Sequence, residues 1–313
     1  VRTSSTLGAL LVIVSSAIFG GIGLAVQGAV AAGFALPVLL ATRYLATAGT
    51  VGTLALAKGE LRQVRPRRSH AGAFGLGLAS IAQTGCYFAA ITRVDVALVL
   101  ALHFTFPALV LAIEAVIAHT VPTRRQAVSC LVALCGVALV ALGGRTGGAD
   151  PVGLALAGGS GLAYAGILVG WTRVLRRLPS ATATTCQSAG LGIAWLIAAL
   201  VCGVRFAIPG LPGVGWLAFI VLCCSVLPMT LFSAGVARVG AVTASTLATA
   251  EPVVGAVLAA VLLRQVPQPV AIAGAVVIVL ACFITVAPRP ASACARQPVP
   301  ATRSRAVPGL AVG

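Results

Sequence analysis

Ala241 to Gln265 reads AVTASTLATAEPVVGAVLAAVLLRQ, an apolar run interrupted near its middle by one carboxylate and one proline, Glu251 and Pro252. At 1.5 Å of rise per residue the run is long enough to cross a bilayer as a helix, and it sets Glu251 near the midplane. A charge there costs about 2.5 to 3.5 kcal/mol on the insertion scale, so the position needs a reason. A similar pattern occurs once before, in Ala97 to His119, ALVLALHFTFPALVLAIEAVIAH. Sliding one copy over the other by about 145 residues lays Pro107 on Pro252, Leu102 on Leu247 and Arg93-Val94 on Arg238-Val239. Apolar matches are cheap in such a chain, so the prolines and the Arg-Val pairs carry the repeat.

Composition agrees with a membrane solvent. Hydrophobic residues make up 59% of the chain and charged residues 8%, against about a quarter charged in soluble domains. The net charge of +16 does not point to nucleic acid, because the arginines sit mostly in short loops between apolar runs, where they set topology. Of the nine cysteines, eight fall within or at the ends of apolar runs and none has metal-ligand spacing, so they read as small packing residues. The sequence shows no nucleotide loop, metal cluster or catalytic-triad spacing, and no cofactor is expected.

Ten spans follow from the apolar runs: Leu7 to Ala25, Phe34 to Ala57, Ala71 to Ile91, Val96 to Ala118 and Ala127 to Leu142, then Val152 to Trp171, Thr185 to Val204, Val214 to Val236, Ala241 to Leu263 and Val270 to Val286. With the N-terminus inside, cytoplasmic segments hold 16 Lys and Arg residues and outside loops hold 4. That bias places both termini in the cytoplasm and the chain in the cytoplasmic membrane, with the lipid bilayer as a partner. Five spans per copy is an odd number, so the second copy enters the membrane upside down. This is the inverted-repeat plan of secondary transporters, which set the substrate site at the midplane between the halves. The expected division is 1–145 for the first five-helix repeat, 146–287 for the second, and a disordered, Pro- and Arg-rich cytoplasmic tail over 288–313.

Several stretches make a resemblance specific. They are SAIFGG at Ser16 to Gly21, PVLLATRYLAT around Arg43, CYFAAITRVDVALVLALHFTFPALVLAI across spans three and four, GLAYAGILVGWTRVLRR at span six, and LFSAGVARVGAVTASTLATAEPVVGAVLAAVLL across spans eight and nine. The chain resembles the EamA-type transporters of the drug/metabolite transporter superfamily over nearly its whole length before the tail. The resemblance implies an all-α membrane protein of ten helices in two five-helix repeats, a central cavity, and export or exchange of small metabolites or drugs. Members often carry a Gly-Glu pair at the ends of spans four and nine, where this chain has His119-Thr120 and Arg264-Gln265.

Ionisable groups within spans point by default into the bundle or a wet cavity. Glu251, Glu114, His103 and Arg43 are therefore candidates for binding substrate or protons, with a structural ion pair the competing role for Arg43 and a single carbonyl contact that for His103. On a helical wheel His103, Pro107 and Glu114 share one face. Pro107 and Pro252 each free the carbonyl four residues back and are read as paired kinks about which the halves rock. Among polar residues, Ser80, Gln83, Thr84, Thr105, Gln187, Ser188, Ser245, Thr246 and Thr249 are candidates for the cavity wall, with interhelical hydrogen bonding as the commoner expectation. Tyr44, Tyr87, Phe104, Phe106 and Trp195 are the aromatic candidates. An apolar midplane site penalises the charged form of Glu251 by about 3 kcal/mol, which makes it a candidate proton carrier. The expected activity is secondary transport of a small organic solute, as an exporter. A membrane-embedded enzyme is the rival and would need a clustered set of acids and histidines; a passive channel would need a ring of filter groups.

Overall fold

The computed structural model describes residues 2–60, 67–94, 96–142, 150–207, 209–262 and 268–286. The expected tail over 288–313 lies outside them. The regular secondary structure among the described residues is all helical: α1 (Arg2–Gly20), α2 (Ile22–Ala31), α3 (Leu36–Ala57), α4 (Arg67–Ile91), α5 (Val96–His103), α6 (Phe106–Ala118), α7 (Arg124–Leu142), α8 (Pro151–Leu175), α9 (Ser180–Val201), α10 (Gly210–Val221), α11 (Leu227–Ala248), α12 (Ala250–Leu262) and α13 (Pro269–Val286). A single π-helical turn, Leu222–Val226, joins α10 to α11. Among the described residues eight helical stretches are long and apolar enough to cross a bilayer, the longest being Gly210–Ala248 at 39 residues. Their outer faces carry exposed Ile197, Phe219, Ile272 and Phe283, the surface that lipid covers and water does not tolerate in bulk.

The expected first span is longer than its apolar core suggested, running Ser5–Ala31 with a break at Gly21. Spans eight and nine are read from sequence as separate, and the structure separates them at a non-helical residue inside α11. Gly240, with φ 80° and ψ 171°, turns the chain there inside α11, leaving limbs 227–239 and 241–248. A left-handed φ is cheap for glycine alone, and Arg238 just before it is the charged residue that marks the corner in the sequence.

Packing pairs fall into a pattern. α3 lies on α9, α7 on α13, α1 on α11 and α4 on α8. A Cβ on Gly52 would meet Thr185 and one on Gly192 would meet Leu45, so α3 and α9 run antiparallel. The same holds for α7 and α13: Gly136 faces Gly274 and Ile278, while the Arg125 guanidinium donates to the Ile284 and Thr285 carbonyls at 2.6 and 2.8 Å. Those are orphan carbonyls at a helix C-terminus, satisfied here by a cation on the neighbouring helix. Small residues at these crossings let backbones approach where lipid supplies no hydrophobic force between helices. Gly166, half of a small-xxx-small pair in the sequence, faces open space.

Both proline-bearing spans are broken. In the first, α5 ends at His103 and α6 begins at Phe106; in the second, α11 ends at Ala248 and α12 begins at Ala250. Each break is crossed by a glycine from the other half. A Cβ on Gly161 of α8 would sit 2.7 Å from the His103 carbonyl, the one Pro107 leaves without its N–H. A Cβ on Gly20 of α1 would sit 2.6 Å from the Glu251 carbonyl. At the start of α8, Asp150 caps the helix through the Val152 and Gly153 N–H groups at 3.2 and 3.3 Å and pairs with Arg93 at 3.3 Å. Desolvation pushes that carboxyl up, but these three partners outweigh it and hold Asp150 below the ordinary carboxylate range.

Candidate functional site

Between the halves lies a cavity of about 140 Å³. Its wall is formed by Phe19 of α1, Arg43 and Tyr44 of α3, Ser80, Gln83 and Thr84 of α4, Tyr164, Ile167, Leu168 and Trp171 of α8, Gln187, Ser188 and Leu191 of α9, and Met229, Phe232 and Ser233 of α11. The wall residues include pairs related by the offset between the repeats, with Phe19 falling on Tyr164, Arg43 on Ser188 and Thr84 on Met229.

Arg43 is 5% exposed, with its Nε donating to Ser225 Oγ at 2.6 Å and Nη2 to the Cys224 carbonyl at 3.4 Å. Its guanidinium carbon also stands 4.7 Å from the centre of the Tyr44 ring. Ser225 in turn donates to the Ile220 carbonyl five residues back, a bond only the π-helical turn brings into reach. The structural ion pair expected for Arg43 is not formed: among the described residues its partners are a hydroxyl, a carbonyl and a ring.

Gln83 and Gln187 project amides to the wall and make no side-chain hydrogen bond among the described residues. Of the hydroxyls, Ser188 meets the interhelical expectation by donating to Met229 Sδ on α11 at 3.9 Å, and as donors the others depart from it. Ser80, Thr84, Thr105, Ser245, Thr246 and Thr249 all donate to carbonyls of their own chain three or four residues back. Thr84 also accepts from Trp195 Nε1 at 3.2 Å. Thr105, Ser245, Thr246 and Thr249 stand away from the cavity, and Thr249 is fully buried at the break before α12.

The remaining ionisable candidates also lie off the cavity wall. His103 is buried, and its Nδ1 is 2.9 Å from Ser160 Oγ. Because Ser160 spends its one proton on the Ala157 carbonyl, Nδ1 is the donor and Nε2 is the unprotonated nitrogen. Rings of Tyr87, Phe104, Phe106 and Tyr164 surround the imidazole at centroid distances of 5.2 to 5.8 Å. Glu114 pairs with Arg173 at 3.8 Å, with both side chains partly exposed, an arrangement worth about 0 to 1 kcal/mol. His103 and Glu114 do share a face, and that face is turned toward α8. Glu251, in the first turn of α12, forms no ion pair and no side-chain hydrogen bond among the described residues. Sequence reasoning missed Phe19, Tyr164, Trp171, Met229, Phe232 and Ser233 on the wall. The repeat offset from Thr84 and Tyr87 would have found Met229 and Phe232.

The model of a family described as the EamA-like transporter family matches residues 6–142 and again 151–287. No curated protein matches the chain. Among solved structures, one crystal structure aligns with 91% of this chain and 96% of its own at 19% identity and a TM-score of 0.73. At that identity the likeness concerns the fold alone.

Proposed function

The chain belongs to the EamA-like transporter family, and from that premise we propose that it carries a small organic solute across the cytoplasmic membrane by alternating access, as an exporter. The observation behind this reading is the cavity, walled by α1, α3 and α4 from one half and α8, α9 and α11 from the other. A site shared by two bodies changes its exposure when one body rocks against the other. The breaks after His103 and Ala248 supply paired points of flexure.

Ten crossings are reached when α3 is counted and the 39-residue stretch Gly210–Ala248 is divided at Gly240, its second limb continuing through α12. Inversion of 146–287 relative to 1–145 is supported by the antiparallel runs of α3 against α9 and α7 against α13, which are the same helix of each repeat. Both termini then lie in the cytoplasm. A reporter fused after Pro288 should read inside and one inserted at Gly147 outside.

Glu251 is the proposed proton carrier, since its side chain has no ion-pair or hydrogen-bond partner among the described residues and stands in the first turn after the break before α12. The test is counterflow in proteoliposomes of purified protein. Saturable, solute-dependent counterflow supports the transporter. A flux without trans-stimulation would mark a passive channel, and chemical conversion of the solute an enzyme. Glu251→Gln should abolish transport driven by a pH gradient while leaving exchange measurable; loss of exchange as well rejects the carrier role.

A further inference from the structure

Resting on the transporter reading, we propose that the cavity takes an organic monoanion, its oxyanion head on Arg43 and its apolar body against the aromatic wall. Arg43 is the one wall residue with a permanent charge; Asp, Glu, Lys and His are absent from the wall. The two ion pairs of the described residues join Arg93 to Asp150 and Arg173 to Glu114, leaving Arg43 out. Its Nε and one Nη2 proton are spent on Ser225 and Cys224, and Nη1 has no hydrogen-bond partner among the described residues. A 95%-buried guanidinium held by two neutral groups is a charge in want of a counter-ion. An arginine presents its remaining N–H groups as a fork that fits two oxygens of one anion.

The rest of the wall fits the rest of such a ligand. The unengaged amides of Gln83 and Gln187 add donors, while Tyr44, Tyr164 and Trp171 offer ring surface. A cavity of about 150 Å³ accommodates a benzene ring, so this one, at about 140 Å³, fits one ring with a small head. A cation would face Arg43 directly, and the ammonium of a zwitterion would find no carboxylate on the wall. The equivalent position in the other half is Ser188, so the charge is supplied from one side only and fixes which way the ligand lies.

Benzoate, benzamide and benzylamine differ in head-group charge on one ring and are the probes. Titrated into the full chain in detergent and followed by tryptophan fluorescence, benzoate should bind at least tenfold more tightly than benzamide, with benzylamine weakest. Arg43→Gln should erase the preference for benzoate, and Arg43→Lys should keep part of it, in protein whose circular dichroism is unchanged. Benzoate and benzamide binding within twofold of each other, benzylamine binding tightest, or no probe binding would each overturn the proposal on the unaltered chain, whether or not Arg43→Gln folds. Retention of the preference in Arg43→Gln would overturn it too. Counterflow confined to neutral solutes removes the anion site and keeps the transporter. Arg43-dependent benzoate binding with no counterflow of any solute does the reverse.

Discussion

Around the cavity the two halves offer the same positions and different chemistry. Where the first half has Phe19, Arg43 and Thr84, the second has Tyr164, Ser188 and Met229. The broken spans differ likewise: His103 in the first is tied to Ser160, while Ala248 takes its place in the second, and Phe106 there stands where the second half has Glu251. What repeats is mechanical, namely a proline, a break and a glycine from the opposite half lying against a carbonyl. What does not repeat is the charge and the imidazole at these places: Arg43 falls on Ser188, His103 on Ala248 and Glu251 on Phe106. Duplicated backbone sets the two breaks, and the side chains around them are present in single copy.

The largest expected effect tests whether the two crossings are equivalent. Gly20→Val and Gly161→Val each force a side chain onto backbone 2.6 to 2.7 Å away, and each should cost about 3 kcal/mol in the unfolding of the purified protein. A cost at one site only would break the equivalence. Next is Ser160→Ala, which strips the buried His103 Nδ1–H of its acceptor and should cost about 2 kcal/mol. The second half has no such pair at its break, so Ala248→Ser should not return a comparable gain. Smallest in stability are Pro107→Ala and Pro252→Ala, each within about 1 kcal/mol because helix propensity and kink relief oppose one another. Their signature is kinetic: exchange slows several-fold in either variant if both breaks flex.

The sequence carried the helix breaks far better than the wall. Proline is legible because its missing N–H dictates a local consequence wherever it stands, and Pro107 and Pro252 each fall just after a break. The corner at Gly240 was legible as the gap holding Arg238 between spans eight and nine, though not which residue of that gap turns the chain. Arg43, Gln83 and Gln187 announced themselves as polar groups that lipid does not accept. Phe19, Tyr164 and Trp171 did not, because an aromatic ring facing lipid, a neighbouring helix or a cavity has the same one-letter code. The wheel for His103 and Glu114 found their common face but not their separate fates: one lies among rings at the break, the other beside Arg173, and only the chain direction of α8 distinguishes these two environments.

Exposure of the wall to both sides of the membrane is the property on which alternating access stands. In protein freed of its native cysteines and oriented in sealed vesicles, Gln83→Cys from one half and Gln187→Cys from the other would be treated with a membrane-impermeant thiol reagent from each face in turn. Both positions should be labelled from either face, with a transported solute shifting the two rates in opposite directions. Labelling of both from one face alone, unmoved by any solute that the protein carries, would contradict a cavity that opens alternately between two rocking halves.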